Sequence, residues 1–422
     1  MTLEKSTLSI ACCPMLSRPT IVAVCISSLA VIQFTGCDQG FRGTIDAEGA
    51  RYTHVFFLPG GRKLASWEPH ADKLFIWDLK TCELERACTW DNMPRHSAYF
   101  NVVSPSGALL ALVTPGEDDE RVLLAVWDIA TMSVQWQTSI GAQCFPPTFS
   151  QDGKLLACSQ EDKSVVTVLV WDARTGQLET KLEGPDSVGR DLLFSPNRET
   201  LSGLDRKDER ILVWSLRTGH LQYILEAGHD SISHMRYVKD NTTLCAVTPN
   251  TLVHWDLRTG KERLRLELPG DTDAIWLVLS DGSFLAKSET NVLARWLPRP
   301  NGLEEVWTVQ LLKPGPVPRS IDGEPITMDR FVDFHVLLAS PDERYFVFTA
   351  TTGEVAYRKV EKGTVKYWTD EGGYNRCFEI ATGRIGFDGP GAFPIMFSPD
   401  GNTLVLKSQR ELRLVPTASL IE

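Results

Sequence analysis

The sequence predicts an all-β chain, a β-propeller of four-stranded antiparallel blades, from three observations. An aromatic-acidic segment recurs at a near-constant interval, a tight-turn element runs in phase with it, and the two ends of the array complement each other. The recurring segment is clearest at Trp255-Asp256-Leu257-Arg258-Thr259-Gly260. Near copies are Trp77-Asp78-Leu79-Lys80-Thr81, Trp127-Asp128-Ile129-Ala130-Thr131, Trp171-Asp172-Ala173-Arg174-Thr175-Gly176 and Trp214-Ser215-Leu216-Arg217-Thr218-Gly219, with a worn copy at Phe378-Glu379-Ile380-Ala381-Thr382-Gly383. The first five anchors advance by 50, 44, 43 and 41 residues.

The turn elements precede most anchors. They include Leu58-Pro59-Gly60-Gly61, Ser104-Pro105-Ser106-Gly107, Ser150-Gln151-Asp152-Gly153, Ser340-Pro341-Asp342-Glu343 and Ser398-Pro399-Asp400-Gly401. Proline presets φ, Asp or Asn bonds its own backbone and glycine accepts positive φ, so each reads as a hairpin turn. Apolar runs flank the turns, as in Phe346-Val347-Phe348 and Leu404-Val405-Leu406. Each unit therefore reads as strand, turn, strand, loop, strand ending in the aromatic, Thr-Gly turn, strand. Eight units are counted, and seven stays open because the unit around residues 330–385 is long and irregular.

The aromatic anchor has a packing reason. A twisted blade buries both faces against its neighbours, and a large ring near the end of the third strand fills the wedge. One buried indole removes roughly 150–250 Å² from water, on the order of 4–6 kcal/mol as an upper bound. Trp77, Trp127, Trp171, Trp214, Trp255 and Trp296 are thus expected as inter-blade packing, and each adjacent Asp as a cap for turn amides.

The ends of the array predict closure. The last unit stops after a third strand near Glu411-Leu412-Arg413-Leu414-Val415. Phe41-Arg42-Gly43-Thr44-Ile45-Asp46 aligns in phase with the fourth strands of other units, so it is expected to complete the last blade and remove the open edge. Residues 38–422 then form one domain. Lys313-Pro314-Gly315-Pro316-Val317-Pro318 reads as an inter-blade loop, and an insertion around Arg358–Tyr374 as a protruding hairpin.

The Ser-Pro-Asp-Gly and Trp-Asp elements resemble the WD-repeat family over roughly residues 40–422. The Gly228-His229-Asp230 step matches the opening of a family repeat, with Thr248, Asn250 and Trp255 near the remaining positions of that family's hydrogen-bonded set. The Asp-x-x-Thr-Gly spacing also resembles quinoprotein-like propellers. Within this resemblance a central channel can hold an enzyme site built from distant residues.

Residues 1–37 read as a leader. An apolar run from Pro19 to Phe34 follows Arg18 and holds no acidic residue. It is shorter than the ~20 apolar residues of a spanning helix and suits a signal-peptide core. Phe34-Thr35-Gly36-Cys37 resembles a bacterial lipoprotein box, with Phe34 in place of the usual Leu, which implies lipidation at Cys37. A start at Met15 would give a compact signal. Ordinary secretion and an uncleaved anchor are the alternatives. The expected location is the extracytoplasmic side of the cell envelope.

The chain carries 43 Lys+Arg against 54 Asp+Glu, net −11, with no basic cluster, which argues against nucleic acid as a partner. Charge gathers between second and third strands. Asp118, Asp119, Arg121, Asp162, Asp208 and Arg210, together with His229, are therefore the candidate partner-binding face. Glu117–Glu120 lacks the pattern of a calcium loop. No Cys-x-x-Cys pair, nucleophile elbow or phosphate loop is present, so no catalytic residue, metal or cofactor is expected. Cys158 and Cys245 read as small core residues on second strands. Cys82 and Cys88 flank a turn and strand, leaving a disulfide there open. The expected role is a membrane-anchored protein-interaction scaffold rather than an enzyme. The alternatives are a quinoprotein-like oxidoreductase or hydrolase, and an envelope-assembly lipoprotein.

Overall fold

A computed structural model describes residues 43–46, 54–68, 73–89, 99–116, 121–131, 133–141, 143–162, 165–184, 188–205, 209–228, 230–270, 272–311, 327–360, 363–390, 393–407 and 411–420. The leader with Cys37, the Pro-rich segment, Asp118, Asp119, Asp208 and His229 lie outside them. The described strands form seven antiparallel sheets of four strands and one of five. We number these sheets as blades 1–8 from residue 54 onward, with blade 8 at 393–416.

Each turn forms for the reason its residues suggest. Ser104, Ser150, Ser195, Ser340 and Ser398 are buried. Each hydroxyl accepts the backbone N–H five residues on, at 2.9–3.0 Å. In the turn between third and fourth strands the acidic residue caps backbone amides. Asp78 accepts from Lys80 and Thr81, Asp128 from Thr131, and Asp172 from Arg174 and Thr175. At each of the six tryptophan anchors, pairing with the fourth strand slips by one residue. This recurrent bulge raises the local twist.

Eight apolar cores join consecutive blades. The core between blades 8 and 1 contains Ile45, Leu412 and Leu414 from one side and Phe57, Leu64 and Trp77 from the other. Cores between the remaining pairs complete the circuit. The ring is sealed as its ends predict. Gly43–Asp46 pairs antiparallel with the third strand of blade 8, Gly43 opposite Leu414 and Asp46 opposite Glu411.

Trp77, Trp127, Trp171, Trp214 and Trp255 are buried in these cores. Trp296 departs from the expectation. It is only half-buried at the margin of the core between blades 5 and 6, where the fully buried Phe284 opposite it fills the space. Between blades 6 and 7 a first-strand indole, Trp276, packs on Phe346 and Phe348 at 5.8 and 5.3 Å between centroids.

Two blades are irregular. In blade 3 the first strand is split into Gln143–Cys144 and Thr148–Phe149, both paired with Leu155–Asp162. In blade 7 the second and third strands, Tyr345–Val360 and Gly363–Glu379, have 16 and 17 residues. Second strands elsewhere have five to eight. The pair continues to Val360 opposite Gly363, and the first strand Thr327–Ala339 follows it as far as Thr327 opposite Tyr357. This is the protruding hairpin expected around 358–374. At about 3.3 Å per residue its extra length is about 25–35 Å.

Cys82 and Cys88 do not meet. They sit at opposite ends of the extended fourth strand of blade 1. Six residues of extended chain span about 20 Å, far beyond the reach of a disulfide. Cys158 and Cys245 lie on second strands and are fully buried. Among the described residues, no helix is long and apolar enough to cross a membrane.

Candidate functional site

Antiparallel order within each blade fixes which loops share a face. The entries to the first strands lie with the loops between second and third strands, here the upper face. Turns between first and second, and between third and fourth strands, form the lower face. The blade 7 hairpin is a loop of the second-to-third class, so it rises from the upper face.

The sequence-nominated residues on the upper face come from different blades. Arg121 is exposed, and its carbonyl closes the blade 2 hairpin by accepting the Gly116 N–H at 2.8 Å. Asp162 ends the second strand of blade 3 opposite Val165. Arg210 is committed within its own hairpin. Its Nε donates to Asp205 at 2.8 Å, and the Glu209 and Arg210 amides donate to the same carboxylate. Burial of Asp205 pushes its carboxyl up, but the bonds from Arg210 and these amides outweigh that and leave it below the usual range. The buried Asp205 is therefore the anchor of this loop, for which the sequence nominates Asp208 and Arg210 but not Asp205. Next to His229, Asp230 accepts from Asn250 at 2.7 Å, tying the entry of blade 5 to its second-to-third loop.

On the lower face, charge is spent on stitching blades together. Arg236, on the first strand of blade 5, donates to the Val278 carbonyl at 2.8 Å and pairs with Glu343. Glu343 also accepts the Ser280 amide at 3.0 Å and its hydroxyl at 2.6 Å. One carboxylate thus binds blades 5, 6 and 7. It occupies the fourth turn position, where five of the eight copies have glycine, at φ 57°. Arg198 occupies the same position in its turn at φ 59° and reaches Asp152 of blade 3 at 3.0 Å. Left-handed backbone is unfavourable for such residues. The signal in the sequence is a long charged residue at a turn position held by glycine in five of the eight copies.

A second lower-face network centres on Asp256. It accepts from the Arg258 side chain and amide and from Arg263, which hold its carboxyl well below the usual range. Arg263 also reaches Asp240 at 3.5 Å and the Thr243 hydroxyl at 2.9 Å. Nearer the ring axis, burial lowers the His234 imidazole while the Asp191 charge opposes it. Among the described residues, no group of three or more His, Cys, Asp or Glu is placed to hold a metal ion.

No protein-family model and no curated protein matches the chain. Among solved structures, the crystal structure of the computationally designed Ika8 protein is similar to it, with a TM-score of 0.59 and 16% identity. The alignment covers 90% of this chain and 99% of that one. At this identity the likeness shows a common fold and nothing further.

Proposed function

We propose that this propeller is a protein-interaction scaffold, held on the extracytoplasmic side of a membrane through a lipid on Cys37, with its partner bound on the upper face. The observation that carries the reading is the blade 7 hairpin. Its long paired strands rise from the face that also carries Arg121, Asp162 and Arg210. An extended, protein-sized arm on the same face as varied polar loops suits a protein partner, because such loops on a rigid ring are where binding residues concentrate. The resemblance to WD-repeat propellers supports the same role. The net charge of −11 supports a partner other than nucleic acid. The apolar run ending in Phe34-Thr35-Gly36-Cys37 supports the anchor.

Two experiments test this. Cells fed a labelled fatty acid incorporate label into the wild type and not into Cys37→Ser; equal labelling of both rules out lipidation at Cys37. Cross-linking in the native envelope captures a specific protein with the wild type. Replacing residues 354–369 by Asn-Gly should abolish that capture and leave the melting temperature within a few degrees. Capture unchanged by that replacement removes the arm from the binding face.

A further inference from the structure

The split first strand of blade 3 brings two cysteines together that are fourteen positions apart in sequence. Cys144 is opposite Gln160 in the ladder. Cys158 lies two residues from Gln160 on the same strand, so its side chain is on the same face as Cys144. The next pairing along the ladder is Thr148 with Ala157. Four steps on the first strand thus match three on the second, so one extra residue is accommodated. It falls at Pro146-Pro147, which bring no N–H to the ladder. Such a bulge bends and twists its strand.

The result is a close thiol pair. Cys158 Sγ lies 3.4 Å from the carbonyl of Phe145, the residue after Cys144. Cys144 packs against the core that contains Cys158. Cys158 is fully buried, whereas Cys144 is partly exposed on a first strand at the ring axis. We infer that Cys144 and Cys158 form a reversible thiol–disulfide site, with Cys144 as the thiol that meets an external disulfide and Cys158 as the resolving thiol.

The chemistry balances with a low-molecular-weight disulfide as oxidant. The Cys144 thiolate attacks one sulfur of the disulfide, forming a mixed disulfide and releasing one thiolate. Cys158 loses its proton, attacks Cys144 Sγ and expels the second thiolate. Two protein thiols are oxidised, one external disulfide is reduced to two thiols, and the two protein protons pass to the released thiolates. A hydrogen bond from Cys158 holds the Cys144 thiol below its ordinary range, and that bond together with burial raises Cys158. The accessible sulfur is therefore also the readier nucleophile. Cys245 makes an internal control, because it is fully buried and burial raises its thiol.

The test is oxidised glutathione added to the full-length folded protein, followed by quenching, alkylation under denaturing conditions and peptide mass mapping. The wild type should yield a peptide linking Cys144 to Cys158, lost on reduction, with Cys245 fully alkylated. Cys158→Ala should instead accumulate a stable glutathione adduct on Cys144. Should that variant not fold, the wild-type time course decides, because the adduct at Cys144 must appear first and decay as the linked peptide grows. Full alkylation of both cysteines after oxidation would overturn the inference. So would a glutathione adduct on wild-type Cys144 that persists without conversion to the linked peptide.

Discussion

The indole of Trp136, on the outer strand of blade 2, covers Gly176 in the Thr-Gly turn of blade 3 and donates its Nε1–H to the Ala173 carbonyl at 2.9 Å. The relationship repeats. Trp307 covers Gly383 and donates to the Ile380 carbonyl at 2.8 Å, and the Tyr223 ring covers Gly260 and bonds the Arg258 carbonyl. The glycine thus serves two needs, a φ near +70° and the space for a ring. A Cβ on Gly176 would stand 2.5 Å from Trp136 Cγ, and one on Gly260 2.3 Å from Tyr223 Cδ1.

Gly176→Ala should therefore destabilise the protein by about 2–4 kcal/mol, combining left-handed strain with overpacking. Gly60, at φ 83° with nothing within 4 Å of its Cβ position, is the control. Gly60→Ala should cost only about 1 kcal/mol, from backbone strain alone. Chemical denaturation of the two variants measures the difference, and equal losses would refute the ring contact as the cause.

Breaking the three-blade stitch should be costly from either side. The Arg236 and Glu343 side chains are 18% and 12% exposed, so a lone survivor is left partly buried without its counter-charge. Arg236→Met should lose about 3 kcal/mol. Glu343→Gly loses the same pair but relieves the φ 57° backbone, so its net loss should be smaller by about 1 kcal/mol. In a double-mutant cycle the coupling should be about 2 kcal/mol, and additive losses would show that the pair does not act as a unit.

These two features mark where sequence reasoning stops. The turn serines, the capping aspartates, the buried tryptophans and the closing strand are legible because each follows from a local pattern at a fixed phase. Arg236 and Glu343 are 107 residues apart, and only the closed ring sets them side by side. Cys144 and Cys158 meet through a bulge whose one sequence mark is Pro146-Pro147. Trp296 resembles its five counterparts in sequence, yet Phe284 on the paired strand takes the buried place. Arg210 looked like a free surface charge because Asp205, its buried partner, reads as one more loop acid.

Stability should respond to pH through two imidazoles. Burial lowers both His234 and His254. The Asp191 charge opposes this at His234 and Asp240 at His254, where Arg263 adds to the lowering. The folded state then binds these protons less readily than the unfolded chain. Their contribution is complete above about pH 6.5 and is lost as pH falls through that value toward the folded pKa. The wild type should melt at a lower temperature at pH 5.5 than at pH 7.5, and the double variant His234→Gln, His254→Gln should show a shallower dependence. Parallel curves would exclude these groups. Asp205 acts in a separate, more acidic window. Its folded pKa is depressed, so its contribution is present above about pH 4 and lost below it, and Asp205→Asn should remove that part of the acid limb.

Closure of the ring can be tested at Ile45, which is fully buried between blades 8 and 1. Ile45→Ala should cost about 2–4 kcal/mol. Deleting residues 43–46 should do more than lower stability. It bares the edge of Glu411–Pro416, and a bared edge pairs with other chains. Size-exclusion chromatography should then show concentration-dependent association, and a monodisperse deletion variant would mean that the edge is protected another way.

Sealing blade 8 with Gly43–Asp46 also sets an order of events in biogenesis. During synthesis this segment emerges before any blade, yet its partner Glu411–Pro416 follows the strands of all seven other blades. The growing polypeptide must carry an unmatched first strand through seven rounds of blade formation. The final snap-together joins strands from opposite ends of the array, a long-range pairing of the kind that forms slowest. Until then both lips of the gap are sticky, and a nascent or stalled chain is most vulnerable to misassembly at that seam.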